Sequence, residues 1–322
     1  MKADFEKIAD ISGILEQMKK GTPPWVRDWN DPHSRHLPYN VTTMKDDPNQ
    51  TYRGGNVISL WARQTTMGYP SNGWLTGKAL FELGGNPIKL PDNFPRRADN
   101  KTGQNKMPII NAKPQLRKGV KEVSEGKFWD HRYNISVDPS DAFFNMPRVV
   151  GWVYNLAQVE NLPKEYTLPQ TQKQGTQSEA EQMLRDFPVE EKVSHDNRNY
   201  YAPNENAVYI VSLQYFNSED AYYRTRFHEY GHATGHKSLL DRELQTEDRE
   251  KYAFEELIAE ITSSFISARF GIPGVVQHAS YLSHYCDILA ERPQAIFEAA
   301  SEARKASELV LSYLNAEQRE AA

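Results

Sequence analysis

Apolar residues fall at helical spacing near both ends of the chain and at strand spacing in short runs between. Phe5, Ile8, Ile11, Leu15 and Met18 share one helical face, and Gly21 with Pro23 and Pro24 stops it, which predicts a helix over 4–20. "VISLWARQTTM" predicts a second helix, capped by Asn56 and ended at Gly68. "GKALFEL" predicts a third, capped by Thr76 and ended at Gly84-Gly85. From Asn86 to Lys127 the chain is rich in Pro, Asn and Lys with few apolar runs, and reads as a long loop or insertion. "VVGWVYNLAQV" returns to β-type residues.

Residues 163–177, "PKEYTLPQTQKQGTQ", are polar and Gln-rich and read as a linker. After it come a short helix, "SEAEQMLRDF", and a strand, "AVYIVSL". Ser218 then caps a helix with Glu219 and Asp220 in its first turn, where the helix dipole favours acids. "KYAFEELIAEITSSFISARFG" is a further helix, stopped by Gly271, and "PQAIFEAASEARKASELVLSYL" is a last amphipathic one. The pattern predicts an α+β chain of two domains, 1–162 and 178–322, joined by 163–177. With 322 residues, each half is long enough to bury a core of its own.

Charge sharpens that division. Residues 1–150 carry 22 Lys and Arg against 16 Asp and Glu, while residues 151–322 carry 16 against 27. A basic half joined to an acidic one suggests two jobs, one of them involving phosphate. The single cysteine, Cys286, excludes an internal disulfide framework, and no apolar run is long enough to span a membrane. The N-terminus lacks a signal-peptide core, so a reducing cytoplasm is the expected location.

The most specific chemistry is in "RFHEYGHATGH". His228 and His232, four apart on a helix, project from one face and can reach one ion. Glu229 sits beside them as a candidate general base for a water whose pKa a bound zinc would bring to roughly 7. A zinc enzyme needs a third protein ligand and an open position. Glu256 and Glu260, also four apart, form a polar face on a helix whose other side is apolar. Glu256 is the candidate ligand there, and Glu260 the acceptor that orients a ligand histidine. A solvated helix face is the plainer reading of that pair, and Glu255 is a weaker candidate because its i+4 neighbour is Ala259. His236 would lie about 12 Å along a straight helix from His228, so it is read as supporting or structural. Zinc is the expected ion, though two histidines and a carboxylate also suit manganese, cobalt or iron. "AVYIVSL" would serve as an edge strand for an extended peptide.

Five of the six tryptophans lie in the first 150 residues, interleaved with cations. Rings that stack bases beside cations that follow phosphates suit a single-strand binder; filling a small core is the alternative use. Trp61 reads as core. Trp25, Arg27, Trp29, Tyr52, Arg53 and Trp74 are the contact candidates. In "YRGGN" a glycine turn leads into a helix N-terminus that could hold a phosphate.

Together these segments resemble one known arrangement. "PPWVRDWN", "YRGGNVISLW", "GYPSNGWLT", "ALFELGG" and "WVYNLAQVENLP" stand in the order of the N-terminal domain of ArdC-type antirestriction proteins of conjugative plasmids. "AYYRTRFHEYGHATGH", "YAFEELIAEITSSFI" and "AIFEAASEARKAS" resemble that family's zincin-like metallopeptidase domain. The resemblance implies a bacterial protein with a single-stranded-DNA-binding half and a gluzincin-type half, helix-rich with a small sheet, that protects incoming DNA from host restriction. A host restriction component or another protein would be its substrate. By the same resemblance His228, His232 and Glu256 are ligands and Glu229 the base, "ELIAE" being similar to the gluzincin ExxA(D/E) element. The family's basic run after the third helix is replaced by "GGNPIKLPDNFPRR"; "LRKGV" is its later counterpart, which adds Arg117 and Lys118 to the DNA candidates.

Overall fold

The computed structural model describes residues 11–26, 37–44, 50–88, 106–116, 119–138, 142–167, 175–242, 244, 248–273 and 282–315. Arg27, Trp29, Arg117 and Lys118, the predicted helix start at 4–10 and linker residues 168–174 lie outside these ranges.

The first half opens with α1 (Ile11–Lys19), β1 (Tyr39–Asn40), α2 (Val41–Met44) and α3 (Gly55–Met67). It continues with β2 (Gly73–Thr76), α4 (Gly77–Glu82) and β3 (Asn86–Pro87). The expected stops hold: Gly68 and Gly84 take the left-handed φ values, 62° and 75°, that a side chain would resist. Thr76 caps α4 by accepting from the Ala79 N–H at 3.1 Å. Asn56 does not cap α3. Its side chain instead grips strand backbone, accepting from Ile110 N at 2.9 Å and donating to Ile110 O at 2.8 Å.

That strand lies in the stretch read as a loop. β4 (Met107–Leu116), β5 (Val120–Ser124), β6 (Lys127–Asp130) and β7 (Ile135–Val137) follow, then the long β8 (Phe143–Asn155) and β9 (Val159–Glu160). β4 runs antiparallel to β8 along its whole length, in a sheet of order β1-β2-β8-β4. β5, β6 and β7 form a separate antiparallel meander, and β3 pairs with β9. Pro108, Asn111 and Pro114 mask the strand pattern of β4 because its support is β8, whose pairing runs from Leu116 with Phe143 to Met107 with Val153, far along the sequence.

The second half contains α5 (Lys164–Thr167), α6 (Gln177–Asp186), β10 (Glu190–Val193), β11 (Tyr200–Ala202) and β12 (Ala207–Ile210). Then come α7 (Glu219–Ala233), α8 (Arg249–Phe270), α9 (Leu282–Glu291) and α10 (Ala295–Leu311). Ser218 caps α7 as expected, and Gly271 ends α8 at φ 66°. The small sheet has the order β10-β12-β11, so "AVYIVSL" supplies its central strand and not an edge. Its outer strands are β10 and β11.

Each half has apolar clusters of its own, and a further one is shared between them. The largest cluster joins Ile14, Met18, Trp25, Val57, Ile58 and Trp61 to Leu257, Ile261 and Phe265 of α8 and Ile296 and Ala303 of α10. "YRGGN" belongs to this junction: a Cβ on Gly55 would lie 2.1 Å from the Phe297 ring, and one on Gly54 would lie 3.6 Å from Ala300 O. The glycines at the N-terminus of α3 therefore make room for α10.

Candidate metal centre

Helices α7 and α8 cross where α7 carries glycine. A Cβ on Gly231 would come within 3.3 Å of Ala259 Cα and Thr262 Cβ, so the missing side chain is what allows this approach. One turn toward the N-terminus of α8 from Ala259, Glu256 then faces His228 and His232. The histidine Nε2 atoms are 3.2 Å apart. Glu256 Oε2 lies 3.5 Å from His228 Nε2, and Oε1 lies 3.6 Å from His232 Nε2. Among the described residues these three form the group able to hold an ion.

The spacing suits a metal. Ligands about 2.0–2.1 Å from a tetrahedral zinc stand about 3.4 Å from one another; the two imidazole nitrogens are near that separation, and each has one oxygen of the Glu256 carboxylate at a similar distance. The donor set, two imidazoles and a carboxylate, leaves a fourth position open. His228, Glu229 and Glu256 are 1%, 5% and 5% exposed.

Electrostatics prepare the same set. Burial disfavours a charge on His228, but its hydrogen bond to Glu256 and the charges of Glu229, Glu260 and Glu256 prevail and hold its pKa up at about 9. Burial likewise opposes ionisation of Glu256. The hydrogen bond from His228, the charges of both histidines and a hydrogen bond from Tyr252 hold it down at about 2.

The role expected of Glu260 at a ligand histidine is taken, at His232, by Glu255. Glu255 Oε1 is 3.2 Å from His232 Nδ1, which turns Nε2 toward the centre. Arg242 holds that carboxylate in a fork, from Nε at 3.0 Å and Nη2 at 2.8 Å, and is itself anchored on Gly231 O and Thr234 Oγ1. Burial raises the Glu255 pKa, but hydrogen bonds from His232 and Arg242 bring it below the usual carboxylate value. Glu260 is buried close by, and its charge acts on His228 and Arg224. Nothing in the sequence singles out Arg242, which reaches the site from the loop between α7 and α8. Glu255→Gln is expected to lower metal affinity by about 10–100-fold, readable in a competition titration against a chelator. Unchanged affinity would remove Glu255 from the site.

The remaining candidates scatter. His236 lies beyond the end of α7 and pairs through Nδ1 with Ser238 Oγ at 2.7 Å, a turn contact away from the ion position. Earlier on α7, Tyr223 donates to Glu181 of α6 at 3.0 Å and Tyr222 packs edge-on against Phe216. Trp25 is 2% exposed in the shared core, and Trp74 is 0% exposed between Leu60, Tyr69, Met107 and Val153. Neither can stack a base; their loop-like sequence surroundings conceal tight packing. Tyr52 is half-buried between two clusters, and Arg53 pairs with Glu308 of α10 at 3.6 Å.

Two family models match on either side of residues 163–177. The N-terminal domain of anti-restriction factor ArdC matches residues 6–133, and a zincin-like metallopeptidase matches 178–302. Two Escherichia coli proteins described as DNA primase TraC are each 31% identical to this chain, over 93% and 97% of it. The chain covers only 19% and 27% of their own lengths. The uncharacterized protein y4eC of Sinorhizobium fredii is 26% identical over 98% of this chain and 93% of its own. Crystal structures of the antirestriction protein ArdC from the R388 plasmid, metal-free and Mn(II)-bound, are similar with TM-scores of 0.69. They share 27% and 26% identity and cover 97% of this chain, and the chain covers 97% and 98% of theirs. The chain belongs to the ArdC-type antirestriction family, with an ArdC N-terminal domain followed by a zincin-like metallopeptidase domain.

Proposed function

We propose that this protein binds single-stranded DNA through its first half and protects incoming conjugative or mobile DNA from host restriction. Its second half acts on a protein at the metal centre. The observation that carries the reading is the joining, in one chain, of an ArdC N-terminal domain to a preformed His228–His232–Glu256 set, with a cluster of apolar residues shared by α1, α3, α8 and α10. Zinc is the ion we assign, on the donor set and its separations. Manganese is the first alternative, since the R388 protein has a Mn(II)-bound structure.

A divalent ion, when bound, supplies Lewis acidity toward a water and a peptide carbonyl. The other groups are the chain's own. His232 is held in one orientation by Glu255, and Glu255 by Arg242. The Glu229 carboxylate, 5% exposed and next to His228, takes a proton from the attacking water and returns it to the leaving amine.

The burial of Glu229 favours a second reading. A site that served structure alone would not need that carboxylate, so cleavage of a host protein could itself be the protective act, with DNA binding serving to localise it. Glu229→Ala separates the two. It is expected to retain metal and lose about 10²–10⁴-fold in peptide hydrolysis. If protection of transferred DNA survives in that variant, DNA binding carries the function. Loss of protection along with hydrolysis would favour the second reading.

A further inference from the structure

With Trp25, Trp61 and Trp74 buried, the rings available to a single strand must lie elsewhere, and the β5–β6–β7 meander offers one. Its two faces differ. One packs Val120 and Phe128 with Val137 around Ala142. The other follows from the register: Trp129 of β6 stands directly opposite Lys121 of β5 and Ser136 of β7. Lys127 lies two residues from Trp129 and so projects from the same side. Opposed residues place their Cβ atoms about 5 Å apart, which brings the Lys121 stem beside the indole.

The side chains around the half-buried Trp129 are in solvent: Lys121, Lys127 and Ser136 are all exposed. Of the nearby carboxylates, Glu125 is exposed in the β5–β6 turn, and two others are engaged elsewhere. Asp130, on the packed face, holds Arg132 Nη2 at 2.6 Å, and Glu122 accepts from the Gly126 N–H at 3.0 Å in the hairpin turn. Tyr133, 70% exposed in the next turn with the Arg132 guanidinium 5.1 Å from its ring, adds a second aromatic at the sheet's edge.

We infer that this open face is where the first half binds a single DNA strand, with Trp129 stacking on a base and Lys121 and Lys127 meeting the phosphates. Charge selects the occupant. An aromatic platform between two unpaired-face lysines, in the basic half of the chain, complements a polyanion with exposed bases. A duplex hides those bases, and an acidic peptide has no use for the ring. The inference rests on the single-strand reading above and gives that reading a location.

The test is single-strand affinity of the full chain against salt, by anisotropy of a labelled oligonucleotide. Trp129→Ala is expected to weaken binding about 5- to 100-fold, while Trp129→Phe keeps most of it. Lys121→Glu with Lys127→Glu, both on exposed stems, is expected to weaken binding more than tenfold. The same pair should reduce the salt slope by about 1.4, the share of two phosphates on a single strand. Metal content and thermal midpoint of the lysine pair should match the parent, which separates a lost contact from a lost fold. A parent that binds single strands while all three variants bind equally well would overturn the location alone. A parent with no single-strand affinity would overturn both the location and the reading beneath it.

Discussion

Glu256→Gln is expected to lower metal affinity by well over the roughly 100-fold that loss of a supporting group costs, because it removes a direct donor and its charge. The same change should alter how binding depends on pH. Despite burial, the carboxylates around His228 raise its pKa to about 9, so taking up an ion near neutrality is expected to displace a proton. Parent affinity should therefore rise by up to about tenfold per pH unit until His228 is neutral. Removing the Glu256 charge removes one cause of the raised His228 pKa, and the rise should level off at lower pH. Stability without metal moves in the opposite sense. The His228 contribution is complete below the ordinary histidine value of 6.5 and is lost as pH rises through about 9. The Glu256 contribution is present above 4.5 and is lost as pH falls through about 2. Chelator competition and urea unfolding at several pH values check both.

Arg226→Met is expected to cost about 2–4 kcal/mol of folding stability, the largest effect outside the metal centre. Arg226 is 4% exposed and two residues before His228, on the side of α7 that faces α6 and β10. Nη1 donates to Glu181, and Nε to Glu191 at 3.0 Å. Tyr230 also meets Glu191 at 3.0 Å, and the Tyr222 and Tyr223 rings lie 5.0 and 5.7 Å from the guanidinium. Burial works against this charge, yet Glu191 and Glu181 raise the Arg226 pKa above its usual value. The range sits below that of a fully buried pair because Glu181 and Glu191 retain some solvent. Urea unfolding of the metal-free variant gives the number. Lys305→Ala, which breaks the exposed pair with Glu302, should stay within about 0.5 kcal/mol and calibrate the comparison. An Arg226 variant as stable as the parent would show that the network does not hold α7.

These effects follow from geometry that the sequence reveals unevenly. The spacing of His228 and His232 is legible because it is local: one helix fixes both imidazoles. Glu256 is legible as a face of α8. Whether Glu255 or Glu260 supports a histidine is not, because one residue turns a helical side chain by about 100°. The choice depends on how α8 rolls against α7, and the close approach at Gly231 sets that roll. β4 is hidden for a related reason, its strand character residing in β8. Trp25 and Trp74 look exposed in a loop-rich segment because the helices and strands that cover them are distant in sequence. The joint core of the two halves is invisible to composition, which registers their opposite charge and not the apolar faces of α8 and α10 that bind them together.

X-ray absorption at the metal edge of the loaded protein tests the centre most directly. The arrangement described here requires two imidazole nitrogens and a carboxylate oxygen at about 2.0–2.2 Å, with one imidazole lost in His228→Ala. A spectrum with a single imidazole, or one unchanged by that substitution, would contradict it.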